Sequence, residues 1–115
     1  MLAKNRRIGR KLFPNILTKG KRYNSPILLL YVSTPSVEKN FLSRFAFSIS
    51  KKTAKLAVDR NKHRRRGYSI ITKYLKNIKP GYFCFFSFKK NSSSIKFEQI
   101  EREIINLLKT SGVIS

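Results

Sequence analysis

Arg44-Phe45-Ala46-Phe47-Ser48-Ile49-Ser50-Lys51-Lys52, followed after a short spacer by Ala57-Val58-Asp59-Arg60-Asn61-Lys62-His63-Arg64-Arg65-Arg66, changes its period midway. Up to Ser50, Phe45, Phe47 and Ile49 alternate with Ala46, Ser48 and Ser50, the two-residue repeat of a half-buried strand. Beyond that point Ala54, Ala57, Val58, Asn61, Arg65, Tyr68, Thr72 and Leu75 recur at three- and four-residue steps and form one stripe of a helix. Lys55, Lys62, Arg66 and Lys73 share a second face of the same helix. A strand that runs into a long basic helix is the element around which the other segments arrange themselves.

Upstream, Ser25 to Ser33 reads as a buried strand with Pro26 at its edge, since proline cannot donate to a ladder. Arg22-Tyr23 is a short extended piece, and Pro35 to Asn40 is a loop. Pro14 to Lys19 predicts a short helix, with Pro at its first position and Gly20 just past its end. Downstream, Gly67 costs the basic helix about 1 kcal/mol relative to Ala, which requires a packing reason or a bend. Pro80-Gly81 is a turn, and Tyr82 to Phe88 is an aromatic strand whose Phe83, Cys84, Phe85, Phe86 and Phe88 are mostly core. Asn91 to Ser94 is a polar loop. The last helix has Phe97, Ile100, Ile104, Leu107 and Leu108 on its inner face. Glu98, Glu101 and Glu103 lie near its N-terminus and Lys109 near its C-terminus, as the macrodipole favours. Helix, strands, long basic helix, strand, helix is the order of a small α+β sandwich. No repeat or linker divides it, so residues 1–115 form one domain, with 1–11 a basic, mobile arm.

Charge narrows the function. The chain of 115 residues has 26 Lys and Arg against five acidic residues, a formal +21 at pH 7, while 41% hydrophobic residues suffice for a packed core. A surface so charged repels itself unless a polyanion is near. Its apolar runs, such as Ile27 to Val32, have strand length and fall far short of the roughly 20 residues that span a bilayer. The N-terminus is basic but lacks the long apolar stretch of a signal peptide. The single cysteine, Cys84, excludes an internal disulfide and a cysteine-based zinc site. These features fit a cytoplasmic protein whose expected partner is nucleic acid or an anionic membrane surface. The concentration of charge in one helix decides for nucleic acid, with no membrane and no small-molecule substrate expected.

The charge is concentrated. Lys51, Lys52, Lys55, Arg60, Lys62, Arg64, Arg65 and Arg66 stand against Asp59 alone. Like charges four residues apart, such as Arg60 and Arg64, repel mildly in a free helix. Close to phosphates the same cations gain affinity by releasing counterions. A second basic cluster spans Lys4 to Arg22.

The segment from Arg44 to Lys52 and the Ala57-to-Arg65 run resemble the signature of the bacterial ribonuclease P protein family: a strand ending in Ser-Lys-Lys, a spacer, Ala-Val, then an Arg-Asn-Arg core with further cations. Lys19-Gly20-Lys21-Arg22, Leu28 to Val32 and Pro80 to Phe88 match more loosely. Lys62 replaces the last Arg of the core, which keeps the charge and loses a planar bidentate fork. His63 takes a position usually apolar, Leu17 one that is commonly aromatic, and Pro14 is unexpected.

The resemblance implies the order α-β-β-β-α-β-α, a four-stranded sheet with a left-handed β-α-β crossover, and a protein subunit that assists an RNA catalyst. It implies that Lys51, Arg60, Lys62, Arg64, Arg65 and Arg66 meet the catalytic RNA, and that Phe13, Tyr31, Lys52 and Asn61 meet the single-stranded 5′ leader of precursor tRNA. Base stacking on an aromatic is worth ~1–3 kcal/mol. Phe13 and Tyr31 also fit core positions, and Asn61, on the helical stripe, needs either buried partners or RNA. Mg²⁺ would act through the RNA subunit. No catalytic or metal-ligating set is expected in the protein: His63 is the only histidine, and the acids are scattered or explained by the dipole. A small ribosomal or ribosome-assembly protein would share the charge but not the Ser-Lys-Lys and Arg-Asn spacing. A protein-only nuclease lacks acid–base residues, and a helix-turn-helix DNA binder lacks its closely following second helix.

Overall fold

Alternation along a strand sends successive side chains to opposite faces of a sheet, and here it sorts the apolar residues into two unequal cores. The computed structural model describes residues 6–8, 20–33 and 42–114. Its strands are β1 (Lys21–Asn24), β2 (Leu28–Ser33), β3 (Arg44–Ser48) and β4 (Phe83–Phe88). The helices are α1 (Ala57–Tyr74), extended by one 3-10 turn at Leu75–Asn77, and α2 (Phe97–Thr110). The sheet order is β1-β2-β4-β3, with β1–β2 and β2–β4 antiparallel and β3–β4 parallel. This is a small α+β fold with a mixed four-stranded sheet; the helix expected at 14–19, and with it Phe13, Pro14 and Leu17, lies outside the described residues.

On one face Leu28, Leu30 and Val32 of β2, Phe45 and Phe47 of β3, and Cys84, Phe86 and Phe88 of β4 pack with Ile70 and Ile71 of α1 and Ile100, Ile104, Leu107 and Leu108 of α2. The opposite face holds a smaller cluster of Ala46, Phe83 and Phe85 with Ile8, and half-buried Tyr31 against it. Register explains the second grouping, because Tyr31 and Ala46 both pair with Phe85 from opposite sides of β4. The two-residue repeat of β2 and β4 is thus apolar on both sides. Cys84 is fully buried, and burial pushes its thiol far above the ordinary range, which leaves it an inert core residue.

Three details differ from the sequence reading. The strand expected from Ser25 begins at Leu28. Ser25 to Ile27 instead make a turn that α2 holds: the Ser25 hydroxyl and the Ile27 amide both donate to Glu103 Oε1, at 2.5 and 3.1 Å. The Leu28 amide donates to Ser25 Oγ at 3.1 Å. Glu103 therefore serves a tertiary tie, not only the helix dipole.

The arm expected to be mobile is docked at Arg6 to Ile8. Arg7 pairs with Phe45 in a parallel bridge, the Ile8 amide donates to Phe45 O at 3.0 Å, and Ile8 is 7% exposed. One apolar side chain and an open strand edge suffice for this.

The buried stripe of α1 is also not the one the spacing picked out. His63, Gly67, Tyr68, Ile70 and Ile71 face inward, whereas Val58 is 65% exposed and Asn61, Arg65 and Thr72 are exposed. Gly67 has a packing reason: a Cβ there would stand 2.5 Å from the Phe47 ring. That ring stacks on Phe86 at 4.7 Å between centroids and meets Tyr68 edge-on at 5.2 Å.

Candidate nucleic-acid interface

The turn before α1 positions its first cations. The Thr53 amide donates to Ser50 Oγ at 3.1 Å and the Ala54 amide to Ser50 O at 3.0 Å, so Ser50 folds the chain while Lys51 and Lys52 project into solvent. The same turn is fastened from the helix, because Arg60 donates to Ala54 O at 2.8 Å and to Lys55 O at 2.9 Å. Carbonyls that precede the helix thus take up the Arg60 guanidinium.

Arg7, Val58, Asn61, Arg64, Arg65 and Tyr68 line a groove of about 600 Å³ between the docked N-terminal residues and α1. Three guanidinium groups border it, with an apolar floor from Val58 and Tyr68. Asn61 Oδ1 accepts from Arg64 at 2.6 Å, which leaves its amide nitrogen available to a ligand. Arg7 Nε is buried and has no hydrogen-bond partner among the described residues. Arginine forks beside an amide suit phosphates and unpaired bases.

The residues singled out from the sequence do not all come together. Asn61, Arg64 and Arg65 come together in the groove, while Lys51 and Lys52 stand exposed at the head of the helix. Arg60, Lys62 and Arg66 are partly buried and hold backbone carbonyls: Lys62 donates to Ser93 O at 2.9 Å, and Arg66 to Ser92 O at 3.3 Å and Ile95 O at 3.0 Å. Tyr31 is not part of the groove; it lies on the sheet's smaller core face with its ring edge-on to Phe85 at 6.1 Å. Phe13 is outside the described residues. Asn61, expected to need either buried partners or RNA, is exposed, which removes the buried alternative. The sequence reading missed Arg7; the one signal for it was the apolar Ile8 within a basic run.

His63 is 1% exposed, deep beneath the cationic surface. Its Nδ1 lies 2.6 Å from Asp59 O, and its Nε2 accepts the Ser92 amide at 2.8 Å. A neutral ring with the proton on Nδ1 satisfies both contacts. Phe88 meets it edge-on at 4.7 Å.

Glu98 and Glu101 lie beside Lys73, Tyr74 and Arg102 where the two helices meet. Glu101 accepts from Lys73 at 3.0 Å and from Tyr74 Oη at 2.6 Å, joining α2 to α1. The Tyr74 hydroxyl and then the Lys73 ammonium hold the Glu101 carboxyl below its ordinary range; the same carboxylate raises both Tyr74 and Lys73. Among the described residues no three His, Cys, Asp or Glu side chains group as metal ligands, and no helix is long and apolar enough to cross a membrane.

A net +21 on a small mixed-sheet domain, with exposed cations and a guanidinium-bordered groove along one helix, defines a class: a compact polycation whose counterpart is a polyanion. Comparison with known proteins gives the family. The family model for ribonuclease P matches residues 1–112. The ribonuclease P protein component of Clostridium botulinum is 31% identical over 103 residues, 90% of each chain. That of Clostridium novyi is 30% identical over 113 residues, 97% of this chain and 98% of its own. Among solved structures, a Staphylococcus aureus RNase P protein mutant with defective mRNA degradation activity superposes with a TM-score of 0.85 at 22% identity, over 96% of this chain and 92% of its own. The RNase P protein from Thermotoga maritima reaches 0.76 at 23% identity, over 90% and 96%. These two structures share the fold. The chain belongs to the ribonuclease P protein family.

Proposed function

We propose that this chain is the protein subunit of ribonuclease P. It binds the catalytic RNA subunit and the 5′ leader of precursor tRNA, and it assists the RNA-catalysed, Mg²⁺-dependent removal of that leader in the cytoplasm. The observation that carries this reading is the groove in which Asn61, Arg64, Arg65 and Arg7 converge beside the exposed Lys51 and Lys52, on a chain of this family.

The chain's side chains bind and position; hydrolysis belongs to the RNA. Lys51, Arg64 and Arg65 meet phosphates of the catalytic RNA directly. Arg60, Lys62 and Arg66 add to the positive field while their donors stabilise the turn and loop beside α1. Lys52 and Asn61 meet the leader, with Tyr31 and Phe13 as its aromatic partners. Mg²⁺, held by RNA phosphates, supplies Lewis-acid chemistry there. Cations on the protein lower the repulsion between leader and catalytic RNA, which favours occupancy of those ion sites.

The test is cleavage of a precursor tRNA at low Mg²⁺ by the ribonuclease P RNA, with and without this protein. Cleavage that requires both, with the protein alone inert, is the expected result. Indifference of the RNA to the protein, together with tight binding to ribosomal RNA, would replace this reading with a ribosomal one. Cleavage by the protein alone would make it a nuclease in its own right.

A further inference from the structure

Lys62, His63 and Arg66 each make at least one hydrogen bond to a single loop, the Lys89-Lys90-Asn91-Ser92-Ser93-Ser94-Ile95-Lys96 connection between β4 and α2. The tie is not incidental. Ser92 is fully buried, its amide seated on His63 Nε2, and leaving such an amide without a partner costs about 1–3 kcal/mol. The loop is organised internally as well. Asn91 Oδ1 accepts from both the amide and the hydroxyl of Ser93, at 3.0 and 2.8 Å, and the Ile95 amide donates to Ser92 O at 3.0 Å.

The fastened loop faces outward with Lys90, Asn91, Ser94 and Lys96, all exposed. Lys89 is turned back onto Ser25 O at 2.8 Å and does not take part. Lysine, serine and asparagine side chains are the groups that contact nucleic-acid phosphates and sugars, and a loop already held in one conformation loses little entropy when it does so. On this flank the cations of α1 are occupied with carbonyls, so the charge offered to solvent comes from the loop.

We infer that the 89–96 loop is a second contact surface for the phosphate backbone of the RNA bound by α1, with His63 as the positioning residue that holds it in register with the helix. This rests on the proposed role in ribonuclease P. The loop reads no sequence; its lysines widen the electrostatic footprint beyond the groove.

The experiment measures binding of the ribonuclease P RNA to the full chain as a function of salt. Lys90→Ala with Lys96→Ala is expected to lower the slope of log K against log salt by about two and to weaken binding roughly tenfold at low salt. His63→Leu, which fills the space without an acceptor, is expected to weaken binding in the native background and to add nothing in the double-lysine background. That non-additivity separates positioning from general destabilisation. Should His63→Leu fail to fold, His63→Gln retains an acceptor and is expected to restore the native slope. An unchanged slope in the lysine variant, or fully additive losses, overturns this inference while the native protein still binds the RNA. Salt-independent or absent binding by the native chain would instead overturn the ribonuclease P reading itself.

Discussion

Helices α1 and α2 pack on the same face of the same sheet, yet they are built in opposite ways. Helix α2 buries Ile100, Ile104, Leu107 and Leu108 along one stripe and keeps charges off it. Helix α1 buries His63, Gly67, Tyr68, Ile70 and Ile71, with the apolar members confined to its C-terminal half, and its first ten residues include Arg60, Lys62, Arg64, Arg65 and Arg66. The first helix is anchored by its second half, by the close approach of Gly67 to Phe47 and by hydrogen bonds from cations to carbonyls. What this teaches is a division of labour. Apolar area buried by α2 stabilises the domain, so the front of α1 is free to carry a density of like charge that would weaken an isolated helix.

The largest break in that contrast comes from α2. Ile104→Ala removes a fully buried side chain and should destabilise by about 2–5 kcal/mol, read as a lower denaturant midpoint. A loss under 1 kcal/mol would mean that α2 does not bear the stability assigned to it.

Next is the helix–sheet contact. Gly67→Ala gains about 1 kcal/mol of helix propensity but drives a methyl into the Phe47 ring, and overpacking of this kind costs about 1–3 kcal/mol. The net expectation is a loss, with the unfolding midpoint as readout. A stabilised variant would show that Phe47 yields and that α1 does not depend on its close approach.

Arg64→Ala with Arg65→Ala sharpens the other side of the comparison. Thermal stability should hardly move, while the salt slope of RNA binding falls by about two. Arg60 is a poorer choice for this test, because its bonds to Ala54 O and Lys55 O shape the preceding turn. A marked loss of stability in the Arg64/Arg65 variant would show that the front of α1 is structural after all.

The smallest effect belongs to the link between the helices. Glu101 is held below its ordinary range by Tyr74 and Lys73, so its contribution is present above the unfolded carboxylate value and is lost as pH falls through the lowered folded value. Glu101→Gln should therefore reduce stability slightly at neutral pH and narrow its difference from the native chain in acid. Because Lys73 is largely solvent-exposed, the effect stays small. Equal destabilisation at all pH values would assign Glu101 a packing role instead.

Much of the fold was legible in the chain because its signals are local. The alternation through Phe45, Phe47 and Ile49, the aromatic run of β4 and the apolar stripe of α2 each encode an element within a dozen residues. Helix α1 was legible as a helix but not in its orientation. Its segment carries two competing stripes, and the one with Val58 and Asn61 matched the spacing while the one through His63 and Gly67 matched the sheet. Of the candidate interface, the cations and Asn61 were visible in the chain. Arg7 was not, because its place depends on Ile8 finding the cluster of Ala46, Phe83 and Phe85.

By itself the sequence determined the α+β class, the strands and helices, the excess of positive charge and its concentration in one helix, since period and charge are properties of neighbouring residues. Only the tertiary structure decided which cations face solvent and which hold carbonyls, that His63 is a buried pin, and that residues 6–8 close one wall of the groove. Those outcomes depend on hydrogen bonds and contacts between segments distant in the chain, such as Ser92 to His63 and Ile8 to Phe45, and no local pattern records a partner so far away.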